Sequence, residues 1–513
     1  MINYIARRIT ITIFILFGSS FLVYNAQAYS GDPLGDLAQS TAKNKEFLIH
    51  RLTVQLQLDV PPPGRYFLWL KGILGTFVGK PDFGHTRLGA AVLDQIAVAI
   101  PITLRLVLSA TILAILLGIS IGIISALRQY ARIDYSITVI TFLCFSLPVF
   151  WIAVLLKQYL AIGFNDFLAN PVIPETTLAI LAIIFSITLS SFITSSRKSF
   201  WVTTAITLFI MECLLHAVNY FEFLRYPRIG FIGTVLLTAT FGLGLVTMSF
   251  GTRNKGPFYF LATLVGFFAA AYFPLTMIPG DSVDFSKLGL GLLALAVIGG
   301  AIGWFWSKED RSTYLRTGAI TLFLGGLVLV LSNLANVWSQ YFESDAVNGR
   351  PVPTISAGNP LLETNNFWIS LLDIIMHLLL PTLGIMLISF AGYVRYARSG
   401  FLEIMNLDYI RTARAKGLPE RVVVTRHALR NAMIPLTTLI AFDLSGLIGG
   451  AFITESIYGW RGMGTLFLKA VSGQDLNLLM GVFFLTSFLA LMGNLAADIL
   501  YGVLDPRIST GRK

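Results

Sequence analysis

The chain has 513 residues, 55% apolar and 12% charged, with a net charge of +10. So low a charged fraction excludes an ordinary soluble domain. No basic stripe sits on a soluble module, so nucleic acid does not explain the charge.

A bilayer core about 30 Å thick takes roughly 20 apolar residues per helix. Helices satisfy their own backbone groups, as lipid demands. Twelve such runs are read, at 9–28, 99–127, 135–160, 176–195, 199–220, 229–250, 257–278, 286–306, 315–338, 369–394, 432–453 and 478–503. The expected fold is an all-α polytopic membrane protein of about twelve transmembrane helices.

The first run follows Arg7-Arg8 and ends near Ala26-Gln27-Ala28, which imitates a secretory signal with its cleavage site. Its length suffices to span, so 1–28 is read as an uncleaved helix. With the N-terminus inside, 22 of the 37 lysines and arginines fall in short inner segments. Eight of these lie in 395–430, and the bias sets both termini on the cytoplasmic side.

Residues 29–98 then lie outside. Gly31-Asp32-Pro33, Pro61-Pro62-Pro63 and Phe83-Gly84 are turn signals within a small folded cap, either a docking surface or a lid. Residues 99–161 form the first part of a core. Residues 162–368 read as an inserted region of six spans, an even number that preserves the orientation of its flanks. Residues 369–513 complete the core. Cys144 and Cys213 both lie in apolar spans and read as small buried hydrophobes.

Inside the insertion, Glu212 and His216 share one helix face with Cys213 beside them. Three residues on one turn are a weak metal signal, and a mutually hydrogen-bonded Glu–His pair is the simpler reading. No metal site is assigned. Asp373, His377 and Asp443 are polar groups at membrane depth, equally suited to line a pathway or to bond between helices. Gly446, Gly449 and Gly450 permit close helix approach.

The most informative segment is the basic loop 395–431. Asn406 or Asp408 would cap a short helix through Leu418. Leu407, Ile410, Arg414 and Gly417-Leu418 recur at helical spacing on one partly apolar face. Gly417 suits a helix C-terminus, and Pro419 cannot continue a helix. The small residues Ala413, Ala415 and Gly417 suit close approach of another protein.

Four blocks carry a family resemblance. They are Tyr4–Arg8 with Gly31–Leu34; Phe83-Gly84, Pro101–Leu104 and Ser146–Trp151; His377–Pro381 with Tyr393–Arg398; and Asp408 to the end. The last includes Gly449-Gly450, Glu455, Gly462-Met463-Gly464, Asn494, Asp498, Tyr501 and Asp505–Ile508. In these blocks the chain resembles permease subunits of bacterial ABC importers for dipeptides, oligopeptides and nickel.

The resemblance implies a six-helix permease core, carrying peptides or similar small solutes across the bacterial cell membrane. It implies that Asp408, Tyr409, Arg411, Ala413, Arg414, Ala415, Lys416, Gly417 and Leu418 form a coupling helix. It makes Glu455 a further pathway or packing candidate. It implies a second homologous permease, two ATP-binding cassette subunits and an extracytoplasmic solute-binding protein as partners. Those cassette subunits would bind ATP and magnesium, with no cofactor and no catalytic residue in this chain. Gly79-Lys80 is followed by Pro81, outside any phosphate-binding loop pattern. The acidic residue of the broader coupling motif is missing, and six insertion helices exceed the usual pattern. An ion-gradient-driven secondary transporter and a non-transporting membrane scaffold are the alternative readings.

Overall fold

The computed structural model describes residues 2–38, 41, 43–193, 197–251, 255–306, 310–446 and 451–504. All regular structure among them is helical. Helix α1 (Ile2–Ser30) leads into three short helices, α2 (Gly35–Ala38), α3 (Lys45–Gln55) and α4 (Pro62–Leu74). Next come α5 (Val92–Leu127), α6 (Arg132–Ser146), α7 (Val149–Leu155), a π-helical stretch Leu156–Gly163 and α8 (Phe164–Ala169). Then follow α9 (Glu175–Ile193), α10 (Arg197–Tyr220), α11 (Gly230–Phe250), α12 (Gly256–Thr276), α13 (Phe285–Trp306) and α14 (Arg311–Phe342). The remainder is α15 (Phe367–Met405), α16 (Asp408–Ala415), α17 (Glu420–Val422), a π turn Val423–Ala428, α18 (Leu429–Gly446), α19 (Phe452–Ile457), α20 (Met463–Ser472) and α21 (Leu476–Leu504).

Ten of the described helical segments are long and apolar enough to cross a membrane. The two expected runs without such a counterpart are 176–195 and 432–453. The first is a shorter apolar helix, Glu175–Ser191. In the second, α18 carries Arg430, Asn431 and Asp443 among its apolar residues and ends at Gly446. The expected run 135–160 is also not one helix. Leu147 is extended (ψ 131°) ahead of Pro148, and the qualifying segment is Val149–Ala169. Proline crowds the residue before it out of the helical region, so α6 stops there.

The chain divides into two compact units. One comprises the described residues of 1–158, 354–357 and 378–513; the other comprises those of 159–353 and 358–377. The second unit therefore begins three residues before the expected insertion and ends nine residues beyond it, inside α15.

In the first unit, α5 and α15 cross at small residues. A Cβ on Gly118 would stand 2.5 Å from the Tyr393 Cβ, and one on Gly122 would stand 2.7 Å from the Val394 carbonyl oxygen. Glycine is required there because the two helices touch backbone to backbone. The 29–98 segment folds onto α1 and the start of α21. Tyr66 is hydrogen-bonded to Ser20 at 2.8 Å, and Tyr24, Tyr66, Trp69 and Phe484 form an aromatic cluster. Residues 84–87 cross the α20–α21 turn. There Asn477 donates to the His85 carbonyl (3.0 Å), and the Arg87 backbone N–H donates to Asp475 (2.8 Å). In the second unit, α13 and α14 meet at Gly299 and Gly318, beside a core of Phe260, Leu264, Phe268 and Leu322.

Candidate functional site

Residues 398–432 form one folded element. Helix α16 starts at Asp408, with Leu407 as its N-cap and no side-chain cap bond. The expected cap by Asn406 or Asp408 is therefore not formed; Asn406 instead donates back to the Leu402 carbonyl at 3.0 Å. Asp408 occupies the first turn, where a carboxylate still complements the helix dipole.

The helix ends at Ala415, three residues earlier than expected. Gly417 takes a left-handed conformation (φ +76°). Its N–H donates to the Arg414 carbonyl at 2.9 Å, and that of Leu418 donates to the Ala413 carbonyl at 3.4 Å. This paired closure is a Schellman turn, which satisfies carbonyls the helix would leave open. Arg414 then grips Glu420 with two bonds, Nε to Oε2 at 3.0 Å and Nη2 to Oε1 at 2.6 Å. The guanidinium holds the Glu420 carboxyl below the usual carboxylate range.

One face of α16 is buried, and it shares only Ile410 with the expected one. Ile410 and Ala413 pack with Ala126, Phe401, Val423, Ala428 and Ala432. Leu407 and Leu418 are exposed instead. The cause is the early stop: a helix of 8 residues presents only one turn-spaced pair, Ile410 and Ala413, to its support. Asp408, Tyr409, Arg411, Arg414, Ala415, Lys416, Gly417 and Leu418 all lie exposed. Tyr409 Oη accepts a bond from Asn431 at 2.8 Å, tying the helix to the base of α18. The result is a short rod, fixed on one side and open on the other.

A second feature braces this element and escaped sequence reading. Arg398 on α15 reaches Asp134 in the first turn of α6, Nε to Oδ1 at 2.9 Å and Nη2 to Oδ2 at 3.0 Å. Ser125 and the Tyr130 backbone N–H donate to the same carboxylate. Asp134 is 3% exposed, and these bonds, Arg398 first, hold its carboxyl down to about 2. The available signal was an aspartate heading an apolar run, with an arginine at the end of another.

The remaining candidates lie outside residues 398–432. Asp373 accepts from Tyr341 Oη at 3.1 Å and from the Asn359 backbone N–H at 3.0 Å. His377 Nδ1 lies 2.8 Å from the Asp373 carbonyl oxygen and 3.3 Å from Oδ1. Both are buried in the second unit. Asp443, in the first unit, accepts from Tyr393 Oη at 2.7 Å. Gly446 ends α18, and Gly449 and Gly450 lie outside the described residues.

Glu455 is fully buried. It accepts from Thr103 Oγ1 at 2.5 Å and from the Thr465 backbone N–H at 3.0 Å, while Thr103 accepts from the Met463 N–H at 2.7 Å. Burial raises its carboxyl above the usual range, and those bonds oppose the shift. A Cβ on Gly462 would stand 2.4 Å from both Glu455 Oε1 and Thr103 Oγ1, so only glycine fits. The Pro101–Leu104, Glu455 and Gly462–Gly464 segments, far apart in sequence, thus form one buried knot.

Glu212 and His216 do not pair through their side chains. His216 Nδ1 lies 2.9 Å from the Glu212 carbonyl oxygen, and its Nε2 lies 3.5 Å from Glu175 on α9. Cys213 is exposed, contrary to its reading as a buried hydrophobe, whereas Cys144 is buried. Lys157, within the π-helical stretch, donates to the Ile457 carbonyl at 3.0 Å, an intramembrane cation that sequence reading passed over.

Residues 319–510 match the family model of the binding-protein-dependent transport system inner membrane component. The chain is 34% identical over 222 residues to the oligopeptide transport system permease protein OppB of Mycobacterium tuberculosis H37Rv, covering 42% of this chain and 66% of that protein. To the oligopeptide transport system permease protein AppB of Bacillus subtilis it is 34% identical over 224 residues, 44% of this chain and 60% of that one. To the dipeptide transport system permease protein DppB of Escherichia coli K12 it is 41% identical over 146 residues, 28% and 42%. The chain spans just under two thirds of the length of the first of these relatives.

Proposed function

We propose, from the match of residues 319–510 to the binding-protein-dependent transport system inner membrane component and the likeness to peptide permeases, that the chain is a permease subunit of an ATP-driven importer. Peptides or similar small solutes are its cargo, and it supplies half of their pathway across a bacterial inner membrane. Both termini face the cytoplasm, as the distribution of basic residues argues. Its partners are a second permease, two ATP-binding cassette subunits and an extracytoplasmic solute-binding protein.

The observation that carries this reading is the two-sided character of α16. Ile410 and Ala413 lock it to α15 and to the start of α18, while its opposite face stands open. A helix free on both sides would swivel under load; one anchored on its inner face transmits displacement as a rigid body. The cassette subunits bind the exposed face of Asp408–Leu418. ATP-driven closure of those subunits then moves α16, and through the Asp134–Arg398 brace moves α5, α6 and α15 together. Two packed arrangements of these helices give alternating access. The Arg414–Glu420 bonds and the Gly417 turn set the shape of the docking face.

The test is Gly417→Asp, made in the assembled transporter. A Cβ there meets open space, so within the chain the change costs only the left-handed backbone, about 1–2 kcal/mol. The variant is expected to insert normally while the cassette subunits fail to co-purify and ATP-dependent vesicle uptake is lost. Normal uptake would refute the docking assignment. Uptake driven by an ion gradient without ATP would refute the importer reading itself.

A further inference from the structure

The end of α10 carries a feature that the transport reading does not use. Helix α10 packs against α9, yet almost none of its apolar window is buried. Val202, Ile206, Ile210, Leu214 and Phe221 all stand exposed along it. The helix closes in a Schellman turn: the Phe223 N–H donates to the Val218 carbonyl (3.0 Å) and that of Glu222 donates to the Asn219 carbonyl (3.1 Å), with Glu222 left-handed (φ +48°). The turn folds Phe223 back beside Val218. Asn219 fixes it with two bonds to the Ile173 backbone, 3.1 and 2.9 Å.

This fold-back borders an open groove of about 660 Å³, lined by Leu214, Val218, Phe221, Phe223, Tyr226 and Arg228 among others. Its wall is apolar apart from the Tyr226 hydroxyl and one exposed arginine. Next to it, Arg225 sits over the Tyr226 ring (5.6 Å), and among the described residues nothing accepts a bond from its buried Nε. Glu175 faces His216, and Glu222 is exposed. An apolar groove at the end of a membrane-length helix, lined by aromatic rings and Arg228 with Arg225 three residues before it in the chain, matches the chemistry of the lipid–water boundary.

We propose that this turn binds one anionic phospholipid, its phosphate held by Arg225 and Arg228 and an acyl chain lying along Leu214, Val218 and Phe221. The two guanidinium groups supply positive charge for the phosphate, and the apolar stripe of α10 supplies the track for the chain. Charge complementarity favours a lipid over an apolar partner helix, which would leave both guanidinium groups in the interface unpaired.

The proposal is tested by native mass spectrometry of the full-length protein released from nanodiscs of equal phosphatidylglycerol and phosphatidylcholine. The wild type is expected to retain phosphatidylglycerol preferentially. R228Q should lower that retention about fivefold, and R225Q/R228Q about fivefold again, from roughly 1 kcal/mol per arginine at an anionic surface. Phosphatidylcholine retention should not change. Arg228 is exposed, so R228Q is not expected to disturb folding, and monodisperse elution on size exclusion checks it. Equal retention of the two lipids by the wild type, or unchanged phosphatidylglycerol retention in a folded R228Q variant, overturns the proposal and leaves the face to a partner protein.

Discussion

The Arg398 guanidinium lies against the Asp134 carboxylate with two parallel bonds of 2.9 and 3.0 Å, joining the end of α15 to the first turn of α6. Two-pronged arginine–carboxylate pairing fixes orientation as well as distance. The pair stands next to the cluster that seats α16, since Ser125, its third member, adjoins Ala126 of that cluster.

Removing one partner of this pair should therefore be costly. Arg398→Ala leaves the Asp134 charge buried without its main partner, and an unfolding loss of about 3 kcal/mol is expected. Arg398→Lys keeps the charge but loses the fork, and should fall between. Thermal or denaturant unfolding in detergent measures both; equal stability of all three proteins would show that the brace bears no load.

The same carboxyl predicts an acid transition. Its folded pKa, about 2, lies below the ordinary aspartate value. The stabilisation is therefore present above about pH 4 and is lost as pH falls from there through 2. Asp134→Asn should flatten that part of the stability profile. An unaltered profile in the variant would assign the acid sensitivity to other groups.

The two faces of α16 should respond differently to substitution. Ile410 is fully buried, so Ile410→Ala should cost about 2–4 kcal/mol of local stability and expose Val423 and nearby backbone to hydrogen exchange. Arg411 is exposed and bridges Asp408 only loosely, at 3.6 Å, so Arg411→Ala should shift stability by less than about 1 kcal/mol. Its effect is expected instead in cassette-subunit binding. If Arg411→Ala destabilises the chain as much as Ile410→Ala does, the two-sided description of the helix is wrong.

Gly462→Ala places a methyl group where Glu455 and Thr103 already meet. Overpacking of this kind costs about 1–3 kcal/mol. Lower thermal stability and reduced yield are expected, with partial recovery in Gly462→Ala/Thr103→Ala, which vacates the hydroxyl. Wild-type stability in the single variant would mean the knot yields freely.

Much of the architecture was legible because it rests on local rules. Among the described residues, apolar runs mark ten segments long and apolar enough to span, because lipid tolerates little else over that length. Gly417 ahead of Pro419 announced the end of α16, since the left-handed turn needs glycine and proline blocks continuation. The same local logic, applied at Pro148, would have divided 135–160 into α6 and α7.

What the residue order alone determined is thus the class of protein, most of its spans and the place of its basic rod. Which face of that rod is held, and by what, required the tertiary structure, because Ile410 and Leu407 are equally apolar and only packing distinguishes them. The partners of Asp134, Glu455 and Asp443 lie 264, 352 and 50 residues away. A buried carboxyl must find a donor somewhere, but chain closure over such separations is set by how the helices pack, and no periodicity records it.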